Sequence, residues 1–276
     1  MAPAPYDEVV AMRRRFNLWA WFWIFLGAIY FFVPLYGALD FSLREKKGVL
    51  SLLAYQNVLN DPRFRASFTY SVLIALATIA VGLLLIVATT YWVQLRLPQA
   101  KPIMEFVTLL PFVVPAIVLV FGFIRIYSQP PLALTTSPLT TNALLMFGYI
   151  VIAMPYMYRS VDAGLRAIDV RTLTEAAQSL GAGWFRILFR VILPNIRVAL
   201  LSGAFLTFAI VVGEYTFAAL LARPAFGPYM VLLGQDRAYE PAALSIMSFA
   251  LTWLAIMVIQ FVGRGAPGQG QIGGAH

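Results

Sequence analysis

Residues Glu175–Pro194 read EAAQSLGAGWFRILFRVILP, a stretch too polar to cross a membrane and too patterned to be a plain linker. Just upstream, Thr172-Leu173-Thr174-Glu175 has the spacing of a capping box: a threonine at the helix start and a glutamate three residues on. That spacing predicts a helix beginning at Leu173. Ala176 and Ala177 favour helix and carry small side chains, so another surface can approach closely. Gly181 suits the left-handed residue that ends a helix. A second short helix is expected through Trp184, Phe185, Ile187, Leu188 and Val191, whose apolar side chains recur at helical spacing, with Arg186 and Arg190 on another face. Pro194 stops that helix or kinks it into the next segment. The result is a helix–glycine–helix elbow. By its residues alone it fits two roles, an amphipathic segment lying on lipid or a docking surface for a soluble partner.

What flanks the elbow is strongly apolar. The chain is 61% hydrophobic and 12% charged, whereas a soluble domain carries about 25% charged residues. The few charges cannot cover a large soluble core, so the bilayer must solvate much of the surface. Six spans are expected: Leu18–Leu39, about Phe68–Val93, Ile103–Tyr127, Asn142–Tyr158, Val198–Leu221 and Ala242–Val262. Trp19, Trp21 and Trp23 suit an interfacial aromatic belt at the start of the first. Pro111 and Pro115 free backbone carbonyls in the third; simple kinks are their expected role, with pore shaping the alternative. The fold class is therefore all-α and polytopic.

Orientation follows the basic residues. Of 20 Lys and Arg, the larger share, including Arg13–Arg15, Arg96, Lys101, Arg159, Arg171, Arg186 and Arg264, falls on the side of the elbow. The opposite side holds Arg44, Lys46, Lys47, Arg63, Arg65, Arg223 and Arg237. This bias predicts both termini in the cytoplasm. The organisation expected is a cytoplasmic segment 1–17, a membrane domain 18–262 with a cytoplasmic loop 159–197, and a Gly-rich disordered tail 263–276. Between Asp40 and Ser67 an extracytoplasmic loop with short helical pieces is expected. The net charge of +8 reads as attraction to anionic headgroups rather than to nucleic acid.

The elbow sequence resembles the EAA motif of the permease subunits of ATP-binding-cassette importers. Glu175-Ala176-Ala177, Gly181, Leu193 and Pro194 all stand at the motif's spacing, with Val191 where isoleucine is usual. Such families often carry a further proline four residues on, where this chain has Val198. The flanking strings MPYMYRSVDAGLRAID and VALLSGAFLTFAI are similar too, and the resemblance covers roughly residues 65–262. It implies a type I importer permease fold in a bacterial inner membrane. It further implies that Glu175, Ala176, Ala177, Gly181, Leu193 and Pro194 form a coupling helix seated in a cytoplasmic ATPase dimer. The remaining implied partners are a second permease subunit, identical or paralogous, and an extracytoplasmic solute-binding protein. LPFVVPAIVLVFGF and GEYTFAALL resemble the group handling polyamines, ferric iron, thiamine, sulfate, phosphonate and related solutes, with spermidine/putrescine permeases nearest.

Other chemistry is sparse. No G-x-x-x-x-G-K, H-E-x-x-H or G-x-S-x-G string occurs, cysteine is absent, and the single histidine is the terminal His276. The expectation is a transport subunit, not an enzyme, without metal or cofactor of its own, ATP being bound by the partner. An intramembrane enzyme or an ion-coupled secondary transporter is the rival class; the elbow argues against both. Glu214 stands in the fifth expected span beside Gly213 and Tyr215. It fits either a polar group on the solute path, together with Tyr215, or an interfacial acid paired with Arg125 or Arg223. A carboxylate in the path would suit a cationic polyamine.

Overall fold

The computed structural model describes residues 18–46 and 48–263, and among these it is helical with no strand. The N-terminal segment 1–17, Lys47 and the tail from Arg264 to His276 lie outside the described residues.

Helix α1 spans Leu18–Ser42, and the short α2, Leu53–Asn60, is the helical piece expected in the first loop. Helix α3, Pro62–Arg96, starts earlier than its apolar run because Asp61 caps it: the carboxylate accepts the Arg63 N–H at 2.8 Å and Pro62 occupies the first turn. Its 35 residues reach about 52 Å at ~1.5 Å each, longer than the ~30 Å hydrocarbon core.

The third expected span is two helices, α4 (Lys101–Val113) and α5 (Ala116–Tyr127), bent by 101° at the junction. Val114, placed before Pro115, is extended at φ −90° and ψ 117°, as clash with a following proline ring dictates. Pro115 thus does more than kink a helix. Pro111, inside α4, does not interrupt it.

Helix α6 spans Pro138–Arg166 and is capped by Ser137. The elbow comprises α7 (Val170–Ser179), α8 (Trp184–Ile187), a wider π-type turn at Leu188–Ile192 and α9 (Leu193–Asn195). The segment Trp184–Asn195 meets α10, Arg197–Gly213, at 81°. The fifth expected span therefore stops at Gly213, not Leu221. After it come α11 (Thr216–Leu220), α12 (Phe226–Asp236), unforeseen in the sequence, and α13 (Tyr239–Gly263).

Among the described residues, three helices, residues 19–42, 62–96 and 138–166, are long and apolar enough to cross a bilayer, and counting each of the two bent pairs as one span raises the number to five. The sixth expected span falls on α13, a 25-residue helix.

The centre is built by α3, α6 and α10 packing on one another, while α1 leans on α13. Small residues set the approach. A Cβ at Gly164 of α6 would lie 2.5 Å from the Ala199 Cβ of α10, and one at Gly82 of α3 would lie 2.7 Å from Met157 Cε of α6. Two apolar clusters result. One gathers Phe64, Tyr149, Phe217, Phe226 and Tyr229; the other joins Tyr91, Met157 and Val161 to Ile187, Leu188 and Ile192 of the elbow.

Candidate functional site

The elbow starts one turn before its expected position. Asp169, not Thr172, caps α7: its carboxylate accepts the Thr172 N–H at 3.0 Å and the Thr172 hydroxyl at 2.7 Å. The Thr172 backbone N–H, then its hydroxyl, hold the Asp169 carboxyl below its ordinary range. Glu175 is thereby released from capping. Its carboxylate pairs instead with Arg171 one turn earlier, at 2.9 Å on the open surface, an exposed i,i+4 pair of small energetic weight.

Gly181 has φ +77°, and its N–H donates to the Gln178 carbonyl at 2.9 Å while Ala182 N–H reaches the Ala177 carbonyl at 3.0 Å. This is the left-handed helix ending expected from the sequence. A side chain at Gly181 would meet no atom within 4 Å, so backbone conformation and not space calls for glycine. Pro194 carries no N–H and in α geometry would press on the Arg190 carbonyl; the wider turn at Leu188–Ile192 lies immediately before it. Leu193 is half-buried against the second apolar cluster and Pro194 is exposed.

The second half of the elbow divides its apolar residues. Ile187, Leu188 and Ile192 are buried, whereas Phe185 is 75% exposed and Phe189 points outward too. Leu180, at the turn, is 87% exposed. With Ala176, also exposed, these make an apolar surface on the elbow that no part of the described chain covers. Leu180 escaped the sequence reading because it sits at the turn, outside either helical repeat; its only signal was a large aliphatic residue directly before the turn glycine.

The elbow is clamped to the end of α3. Thr174 is buried and its hydroxyl donates to the Val170 carbonyl at 2.6 Å. With that proton committed, the Tyr91 hydroxyl donates to Thr174 Oγ1, at 2.8 Å. Trp184 packs on Tyr91 at 4.7 Å between ring centroids and edge-on to Trp92 at 5.2 Å. Beside this clamp, Asp162 of α6 accepts from Gln94 of α3 at 3.1 Å and pairs with Arg166, which also reaches Glu105 of α4 at 3.5 Å. One polar network so ties three helix ends together. Neither Tyr91 nor this network was visible in the sequence, because the members lie up to 83 residues apart.

At the other candidate position the structure differs more from expectation. Glu214 is not inside a span but in the break between α10 and α11. Its carboxylate accepts the Phe217 N–H, at 2.9 Å to Oε2 and 3.1 Å to Oε1, and approaches the Ala218 N–H at 3.4 Å. Neither Arg125 nor Arg223 pairs with it; Arg223 bonds Asn142 and the carbonyls of Leu221 and Ala222. Tyr215 is 46% exposed, and Phe217 is fully buried in the first cluster. Gly213 faces open space, so the close approach foreseen there occurs elsewhere: a Cβ on Gly227 of α12 would overlap the Glu214 carbonyl. No cluster of three or more metal-ligating side chains occurs among the described residues.

A family described as "Binding-protein-dependent transport system inner membrane component" matches residues 98–266, which contain both sites. The chain belongs to this family. It is thus the permease component of an ABC importer, an integral membrane transport subunit. A probable molybdenum ABC transporter permease of Haloferax volcanii is 28% identical over 246 residues, covering 85% of this chain and 86% of that one. A probable sulfate transport system permease of Nephroselmis olivacea is 27% identical, covering 75% of this chain and 74% of its own. The spermidine/putrescine permease PotB of Haemophilus influenzae is 26% identical but matches only half of each chain. Among solved structures, a bacterial ABC transporter importing alginate aligns with a TM-score of 0.64 at 15% identity, over 94% of this chain and 98% of that one; the likeness is one of fold.

Proposed function

We propose that the elbow is the coupling helix of this permease and that it faces the cytoplasm, with both termini on that side and six spans in all. It seats in a separate ATPase subunit of a dimer. A second permease subunit completes the pore, and an extracytoplasmic binding protein delivers the solute. The observation that carries the reading is the uncovered surface of Ala176, Leu180 and Phe185 on an elbow whose other face is locked to α3 by Tyr91, Thr174 and Trp184. A purely lipid-lying segment has no need of such a lock. Closure of the ATPase pair on nucleotide would move the elbow, and the clamp would pass that movement to α3 and, through the Asp162–Arg166 network, to α6 and α4. Gly181→Val and Ala177→Asp are expected to abolish uptake while leaving membrane insertion intact; full uptake in both would remove the coupling role.

For the cargo, a small tetrahedral oxyanion such as molybdate or sulfate is favoured over a polyamine. A carboxylate free to meet a cation at Glu214 would suit a polyamine, but this one accepts from the Phe217 and Ala218 N–H groups. The molybdenum and sulfate relatives also match over most of both chains, the polyamine relative over half. Uptake of labelled molybdate, sulfate and spermidine by the reconstituted importer decides between them; transport of spermidine alone would restore the polyamine reading.

A further inference from the structure

Between the last turn of α3 and the elbow lies a crevice of about 270 Å³. Its α3 wall carries Trp92, Leu95 and Arg96, and the elbow supplies Arg171, Gln178 and Trp184. The Arg171 charge is answered by Glu175 at 2.9 Å. Arg96 makes no ion pair and no hydrogen bond among the described residues, so the crevice holds one uncompensated positive charge. Glu175 also lines it, but Leu180 and Phe185 do not, so the crevice adjoins the elbow's apolar docking surface without including it.

A second observation meets it from the membrane. Leu85, Thr89, Trp92 and Arg96 recur at i, i+4, i+7 and i+11 and form one outward stripe along α3, all four exposed. The Thr89 hydroxyl is turned back to the Leu85 carbonyl at 2.7 Å, so the stripe presents methyl and ring surface above a single cation. From Leu85 to Arg96 the rise is about 16 Å at ~1.5 Å per residue, close to the ~15 Å depth of half a hydrocarbon core. An apolar track one leaflet deep that ends at a tryptophan and an unpaired arginine has the shape and charge order of a phospholipid.

We propose that this crevice and stripe seat one anionic phospholipid, its phosphate on the Arg96 guanidinium, its headgroup beside Trp92 and Gln178, and one acyl chain along Thr89 and Leu85. The site rests on the membrane placement of α3 and not on the coupling role of the elbow, so either can fail alone. A lipid held there would contact both sides of the joint between α3 and the elbow.

The test is native mass spectrometry of the assembled importer taken from a mixed phosphatidylglycerol and phosphatidylcholine membrane. The wild type is expected to retain phosphatidylglycerol preferentially. Arg96→Gln should lower that retention ~fivefold, as for loss of one basic contact, and Arg96→Lys should keep most of it. Gln178→Glu leaves Arg96 in place but adds a negative charge to the wall, and should lower retention as well. Arg44→Gln, on the opposite side, should change nothing. Equal retention in wild type, Arg96→Gln and Gln178→Glu would overturn the proposal. So would displacement of the lipid by millimolar inorganic phosphate, or loss of retention when the ATPase subunit is bound.

Discussion

At Glu214, charge and hydrogen bonding can be separated by substitution. Glu214→Gln keeps an acceptor oxygen for the Phe217 N–H, so uptake is expected to stay near the wild-type rate. Glu214→Ala leaves the start of α11 uncapped, at a cost of ~1 kcal/mol, and should lower the melting temperature of the purified protein. Loss of uptake in Glu214→Gln with an unchanged melting curve would return the residue to the solute path. Asp169 gives a pH prediction. Its folded-state carboxyl lies below the ordinary value, so its capping contribution is present above the unfolded pKa of ~3.9. It is lost as pH falls through the lower folded value. Protection of the Thr172 amide, its exchange rate taken relative to the intrinsic rate at the same pH, should therefore hold across neutral pH and fall only in acid; a fall in protection near pH 6 would contradict the assignment. Both residues show where reading the sequence stops. Asp169-x-x-Thr172 and Thr172-x-x-Glu175 are overlapping cap patterns of similar strength, and which one closes is decided by where α6 delivers the chain. At Glu214 the apolar run continues on both sides, so hydropathy passes over a break that Gly213 and the acid beside it only hint at.

The elements behave as their local chemistry dictates wherever that chemistry is strong. Gly181 was legible because a positive φ is a requirement of one residue. Gly181→Ala should cost ~1–2 kcal/mol in the elbow through left-handed strain alone, with no clash added; a neutral Ala in thermal melting would show that the elbow can end another way. The Val114–Pro115 pair announced an interruption, but the 101° turn depends on how α5 packs on α6 and α11, which no local pattern contains. The clamp between α3 and the elbow is likewise tertiary. Tyr91→Phe removes the donor to Thr174 and should cost ~1 kcal/mol. Combined with Thr174→Val, the double variant should cost less than the sum of the two, because both remove one bond. Strict additivity would mean that the bond does not hold the elbow. Where α6 crosses α10, Gly164→Leu meets Ala199 at van der Waals overlap and should prevent stable assembly, read as loss of the monodisperse detergent-solubilised peak.

At the scale of the whole molecule, the class of protein was readable from two features: too few charges for a soluble core and an elbow with fixed spacing. The span count was less so. Hydropathy sees apolar length but not direction: the third run is a bent pair, and the fifth is interrupted at Glu214. The cargo was not readable, because the one acid that seemed to speak for it is occupied by backbone. What organises the molecule is an apolar, exposed elbow surface rigidly joined to the central helices α3 and α6. Its purpose is tested most directly by co-purifying the cognate ATPase subunit with the membrane-inserted wild type and with a Leu180→Asp/Phe185→Asp variant. The account predicts that the variant inserts normally and loses ATPase binding by ~thirtyfold or more, the loss of an interface hot spot worth ~2 kcal/mol. Undiminished ATPase binding by that variant would contradict it.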